Sequence, residues 1–147
     1  MTYSIERIRD VTQDLVQALV WLMPQLNPAH PSPTPEQLDA ILSGGATELF
    51  GAREAVSASI VGVLALVVFS TPSGTHAWIE DVVVDESWRG QGIGEALTRA
   101  ALARAKERGA SVVDLTSRPS RAAANSLYAK MGFELRQTNL YRFVLPR

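Results

Sequence analysis

Cysteine is absent from this chain of 147 residues, which excludes a disulfide framework, a cysteine-ligated zinc and a cysteine nucleophile. Histidine is scarce: His30 and His76 are the two. That is a poor basis for a metal centre or for a Ser-His-Asp triad, and no metal is expected. Long hydrophobic runs are missing too. The longest, Ile60 to Phe69, is about half of what a membrane helix needs. The first residues, Met1-Thr2-Tyr3-Ser4-Ile5-Glu6, lack a basic-then-apolar leader. What is present is ordinary for a folded chain: 46% hydrophobic and 20% charged residues. The expectation is one domain over residues 1–147, cytoplasmic, acting as an enzyme or a binding module.

The net charge of −1 hides an asymmetry. Up to Trp88 there are 3 basic residues against 11 acidic ones; from Arg89 onward there are 11 basic against 4 acidic. Either the C-terminal half faces a polyanion and the N-terminal half a cation, or the two halves attract each other within the fold.

Hydrophobic spacing predicts the elements. Tyr3 to Arg9 is a first strand. Thr12 to Leu26 is an amphipathic helix, with Leu15, Val16, Leu19, Val20, Met23 and Leu26 at helical intervals. Thr34-Pro35-Glu36-Gln37 has the residues of a capping box and starts a short helix that stops at Gly44-Gly45. Thr47–Arg53, Ser59–Phe69 and His76–Val84 are strands, the middle one apolar enough to lie at the sheet centre. Gly92 to Arg108 is a helix, Val112–Thr116 a short strand and Arg121–Met131 a last helix. Phe133–Leu135 and Asn139–Leu145 close the sheet. The order β-α-α-β-β-β-α-β-α-β-β predicts an α/β fold, a mixed sheet with helices on its faces.

Arg89-Gly90-Gln91-Gly92-Ile93-Gly94 follows a strand and opens a helix. There, backbone N–H groups are unpaired and the helix dipole is positive, so the loop can hold an anion. Alternate glycines admit close approach to the main chain. A dinucleotide-binding fingerprint fails, because its third glycine would fall on Glu95. A Walker loop fails for want of Gly-Lys-Ser/Thr, and no Gly-x-Ser-x-Gly elbow exists.

Val82-Val83-Val84, a short acidic turn, Trp88 and then Arg89 to Gly94 resembles the acetyl-CoA motif of the GNAT acetyltransferases, [R/Q]-x-x-G-x-[G/A]. Asn125-Ser126-Leu127-Tyr128-Ala129-Lys130-Met131-Gly132-Phe133 is similar to that family's N-x-x-[Y/F]-x-x-x-G-F signature. The strong part of the resemblance covers His76 to Phe133. It implies a mixed, mostly antiparallel sheet of six to seven strands, splayed at the cofactor cleft, with about four helices. It also implies acetyl-CoA as cosubstrate, with its pyrophosphate on Arg89, Gly90, Gln91, Gly92, Ile93 and Gly94, and Glu95 as a further cofactor-binding residue. The pantetheine arm would lie along Val82, Val83 and Val84 like an added strand.

The same resemblance puts a general acid at Tyr128, whose phenol suits a thiolate leaving group; an aromatic packing its helix would look the same. Asn125 would hold the pantetheine arm, or else satisfy its own backbone. Glu80 and Asp81 are adjacent on a strand and should point to opposite faces. Such a pair also occurs in family members acting on polyamines or amino sugars. Glu80 is then a candidate base and Asp81 a substrate contact, the alternative for either being a salt bridge to a nearby arginine. His30, in the proline-rich loop, is a further substrate-side candidate; Trp21 reads as core and His76 as a strand-end residue. The expected reaction is acetyl transfer to the amine of a small cationic molecule, without nucleic acid or membrane, and a homodimer would be in keeping. The rival readings are a non-catalytic acetyl-CoA-binding module and an acetyltransferase acting on protein amines.

Overall fold

Four helices and five strands follow one another in the computed structural model, which describes residues 2–147; Met1 lies outside the described residues. The chain divides into two compact units, one up to Thr116 and one from Ser117 onward. The first holds β1 (Tyr3–Ile8), α1 (Gln13–Leu26), α2 (Pro35–Ser43), β2 (Thr47–Glu54), β3 (Ile60–Thr71), β4 (Gly74–Val84), α3 (Ile93–Glu107) and β5 (Val113–Asp114). The second holds α4 (Ala122–Met131).

Local chemistry explains where the helices start. The Thr12 hydroxyl accepts from Leu15 N–H and caps α1. Thr34 and Gln37 close a reciprocal capping box on α2, with Pro35 at the first helical position. On α1, Leu15, Leu19 and Leu22 share the buried face. Trp21 lies nearly opposite Leu19 on the helical wheel and is 63% exposed, so it is not the core residue expected.

The strands run in the order β1-β2-β3-β4-β5. The first three pairings are antiparallel and β4 with β5 is parallel. β3 is central and buried on both sides, which accounts for its unbroken apolar run. Val63 and Ala65 join the core cluster with Leu15, Leu19 and Leu38 of α1 and α2. On the other face, a Cβ at Gly62 would stand 3.2 Å from Ile93 Cγ2, so its absence lets α3 press against the sheet.

The sheet has five strands among the described residues, fewer than the six to seven expected. Residues 133–147 form no strand there. Alternating apolar residues such as Tyr141, Phe143 and Leu145 qualify a segment as a strand, but a strand also needs a ladder partner. That partner is remote in sequence and spacing does not report it.

One ion cluster joins elements far apart in the chain. Glu48 of β2 meets Arg7 of β1 at 2.9 Å, Arg104 of α3 at 2.9 Å and Arg108 at 3.7 Å, with its side chain 14% exposed. Burial raises the carboxyl's pKa, but the Arg104 hydrogen bonds and the charges of Arg104, Arg7 and Arg108 outweigh it and hold the value down. The stability this contributes is therefore present above the pH at which the unfolded carboxyl titrates, and is lost as pH falls through the depressed folded value. Glu48→Gln should cost about 1.5–3 kcal/mol at neutral pH, the worth of hydrogen bonds to a charged group. Urea denaturation at pH 7 and in acid checks this: the gap between variant and parent should shrink in acid.

Candidate functional site

β4 carries most of the candidate site, and its geometry departs from a regular strand. Ala65 faces Glu80 and Val63 faces Val83, so Leu64 alone spans Asp81 and Val82. One residue is inserted in β4, a β-bulge. Asp81 takes a φ of 52°, a left-handed conformation that aspartate tolerates better than most residues. The bulge breaks the alternation. Glu80 and Asp81, expected on opposite faces, both line one cavity of about 260 Å³ over the α1–α2 side of the sheet, with Leu19, Met23, Leu38 and Ile41. Among the described residues neither carboxylate forms a salt bridge; Arg53 is paired with Glu6 and Asp14, and Arg104 with Glu48.

The other edge of β4 is paired only at its start. The parallel ladder with β5 covers Ala77↔Val113 and Trp78↔Asp114 and stops. From Ile79 to Val84 the strand has no ladder partner on that side. Val82, Val83 and Val84 therefore lie along an open backbone edge, while Val83 is buried on the core side.

After β4 a 3₁₀ turn, Glu86–Trp88, leads into the glycine loop. Gln25 of α1 holds that turn, its Oε1 accepting from Glu86 N–H at 3.0 Å. Gly90 and Gly92 have φ of 79° and 81°, so their glycine identity follows from backbone conformation. Gly92 is the N-cap of α3, and no side chain caps this helix, unlike α1 and α2. Ile93 is buried and anchors the first turn against Gly62. Gly94 is different: its φ is not left-handed, and an added Cβ would meet nothing within 4 Å. Neither strain nor packing within the protein requires a glycine there. Arg89 donates from Nε to the Val84 carbonyl at 3.2 Å and, among the described residues, has no carboxylate partner. Glu95 lies in the first turn of α3, 3.6 Å from Arg99.

Tyr3 was not anticipated as part of the site. Its hydroxyl donates to the Gln91 carbonyl at 3.3 Å and so braces the loop from β1. A separation of 88 residues leaves no local signal for that contact.

In the second unit, Tyr128 is half-buried and stacks edge-on to Phe133, ring centroids 5.6 Å apart. Burial raises its phenol pKa, and the charge of Arg121 pulls the other way without cancelling the rise. The phenol is thus protonated throughout the neutral range. Asn125 donates from Nδ2 to the Arg118 carbonyl at 3.0 Å, so its amide NH₂ serves its own backbone while Oδ1 is uncommitted in that bond. His30 is exposed in the loop between α1 and α2 and is not part of the cavity lining. His76 sits near the β3–β4 turn, its Nε2 within 3.3 Å of Thr71 and Ser73 hydroxyls.

The charge asymmetry divides between both readings. Arg104 and Arg108 of the basic half are spent on Glu48 of the acidic half. Arg89, Glu80 and Asp81 are not spent in this way. No helix among the described residues is long and apolar enough to cross a membrane.

N-alpha-acetyltransferase 30 of Schizosaccharomyces pombe is 38% identical over 70 residues, 48% of this chain and 46% of that protein. An uncharacterized N-acetyltransferase of Methanocaldococcus jannaschii is 40% identical over 58 residues, 40% of this chain and 26% of that protein. The matches thus span less than half the length of either relative. An aminoglycoside acetyltransferase from an uncultured soil metagenomic sample, solved in complex with trehalose, shares the fold with a TM-score of 0.85 at 23% identity, over 98% of this chain and 97% of that one. Residues 15–133 match the Acetyltransferase (GNAT) family, and the chain belongs to it.

Proposed function

We propose that the chain transfers an acetyl group from acetyl-CoA to the primary amine of a small cationic molecule, by direct attack within a ternary complex. The observation that carries the proposal is the continuity of one segment. β4 holds two unpaired carboxylates at a cavity, then an open backbone edge, and leads into a glycine loop at an uncapped helix N-terminus with an unpaired arginine beside it.

These residues suit acetyl-CoA. The uncapped N–H groups at the start of α3, with Arg89, would hold a pyrophosphate. Gly94, which nothing in the protein requires, leaves room for close approach of a ligand to the main chain. The Ile79–Val84 edge offers backbone donors and acceptors to an extended amide-bearing arm. When bound, acetyl-CoA supplies an activated acetyl group and a thiolate leaving group.

The chain's own residues would do the rest. Glu80 takes the proton of the incoming ammonium, directly or through water, and Asp81 holds the cation beside it. A backbone N–H near Val82 donates to the acetyl oxygen as charge develops there. Tyr128, carried over from the family signature, gives its proton to the departing sulfur. Its raised pKa supports this role, because the proton is available at neutral pH.

Gly94→Asp separates binding from folding. A Cβ at position 94 meets nothing within 4 Å and an aspartate in the first turn favours the helix dipole, so the fold should keep its stability. Its carboxylate would face the pyrophosphate and should weaken CoA binding by at least about 2 kcal/mol, roughly thirtyfold. Calorimetry showing unchanged affinity would overturn the loop assignment. Tyr128→Phe should lower single-turnover acetyl transfer by about 10²–10⁴-fold with CoA affinity nearly intact. An unchanged single-turnover rate would return Tyr128 to a packing role against Phe133.

A further inference from the structure

We infer that the acceptor is a monoamine with an apolar body, an alkyl- or arylalkylamine of roughly ten non-hydrogen atoms, rather than a polyamine or an amino sugar. The inference rests on the acetyl-transfer reading above and names the substrate class of that same site. It comes from the cavity that Glu80 and Asp81 line.

Of its thirteen lining residues ten are apolar, and the polar three are Thr47, Glu80 and Asp81. Glu80 and Asp81 are neighbours at the bulge of β4, so negative charge is concentrated at one point of the wall. The remaining wall comes from α1, α2 and the buried face of β2 and β3, with Leu19, Met23, Leu38, Ile41 and Leu49 among its side chains. No lysine, arginine or histidine lines it.

Each feature restricts the ligand. An ammonium is stabilised at the carboxylates and nowhere else in the cavity. A second ammonium further along the same molecule would be desolvated among leucines without a counter-charge. A sugar would bring several hydroxyls against a wall that, away from the two carboxylates, offers one Thr47 hydroxyl, leaving the distant ones unpaired. A sugar phosphate would find no basic residue. Apolar carbon meets none of these penalties and gains by leaving water. The volume, about 260 Å³, compares with the roughly 150 Å³ of a cavity that holds benzene, and so suits a body of about ten non-hydrogen atoms.

The test measures CoA thiol release by the full chain at fixed acetyl-CoA. Its arms are the n-alkylamines from methylamine to decylamine, phenethylamine, spermidine, glucosamine and a short peptide with a free N-terminal leucine. kcat/KM should rise about fourfold per methylene until the cavity is filled and then level off. Phenethylamine should exceed spermidine and glucosamine by at least about thirtyfold. Ile41→Trp, which fills the cavity from α2, should lower kcat/KM for octylamine about tenfold more than for methylamine. A preference for spermidine or glucosamine, or no dependence on alkyl length, would overturn the inference and leave acetyl transfer to a cationic amine standing. Turnover confined to the peptide would overturn it in favour of a protein N-terminus. Release of no thiol with any arm would overturn the acetyl-transfer reading itself, and this inference with it.

Discussion

The inserted residue in β4 is the constraint on which the site depends. Opposite Leu64 the strand must accommodate two residues, Asp81 and Val82, where a regular ladder has room for one. The insertion places Asp81 at positive φ and brings two adjacent acidic residues to the lining of one cavity. A regular strand would have sent one of them to the face packed by α3. On its far edge the same strand leaves β5 after two paired residues. β4 thus keeps β3 along its length and leaves backbone groups unpaired on the other side. A backbone irregularity of this kind costs stability locally, and the surrounding elements must hold it in place. The buried β3 and the packing of Ile93 and Leu97 over Gly62 are suited to that task.

The ion cluster around Glu48 has a comparable role on the opposite side of the first unit. It connects β1, β2 and α3, so the helix that begins at the glycine loop is held at its C-terminal end by Arg104 and Arg108. At its N-terminal end the loop is braced by Tyr3 and the preceding turn by Gln25. Preorganised N–H groups bind an anion without having to be ordered first, so these remote contacts bear on affinity.

Much of the architecture was readable from local chemistry. The α2 start was visible because a capping box is a short-range pattern, and the loop of Gly90 and Gly92 because left-handed backbone selects glycine. Gly132, at a φ of 101°, ends α4 for the same reason. What was not readable is non-local. The bulge is marked by no glycine or proline, only by an aspartate that has other uses. The terminal strands expected at Phe133–Leu135 and Asn139–Leu145 have apolar residues but no ladder. Trp21 is instructive in the other direction: a large apolar side chain reads as core, yet its angle on the helical wheel of α1, nearly opposite Leu19, leaves it exposed. For the candidate site, the family motifs proposed Tyr128 and Asn125, while Tyr3 and the apolar wall of Ile41 and Met23 needed the fold.

The backbone amides at the start of α3 are the proposed anion site for acetyl-CoA. A titration of the ¹⁵N-labelled chain with CoA, following each backbone amide, tests this assignment. The amides of Gln91, Gly92, Ile93 and Gly94 should shift most, with smaller shifts along Val82–Val84. Saturable shifts elsewhere, with the loop amides unmoved, would contradict it.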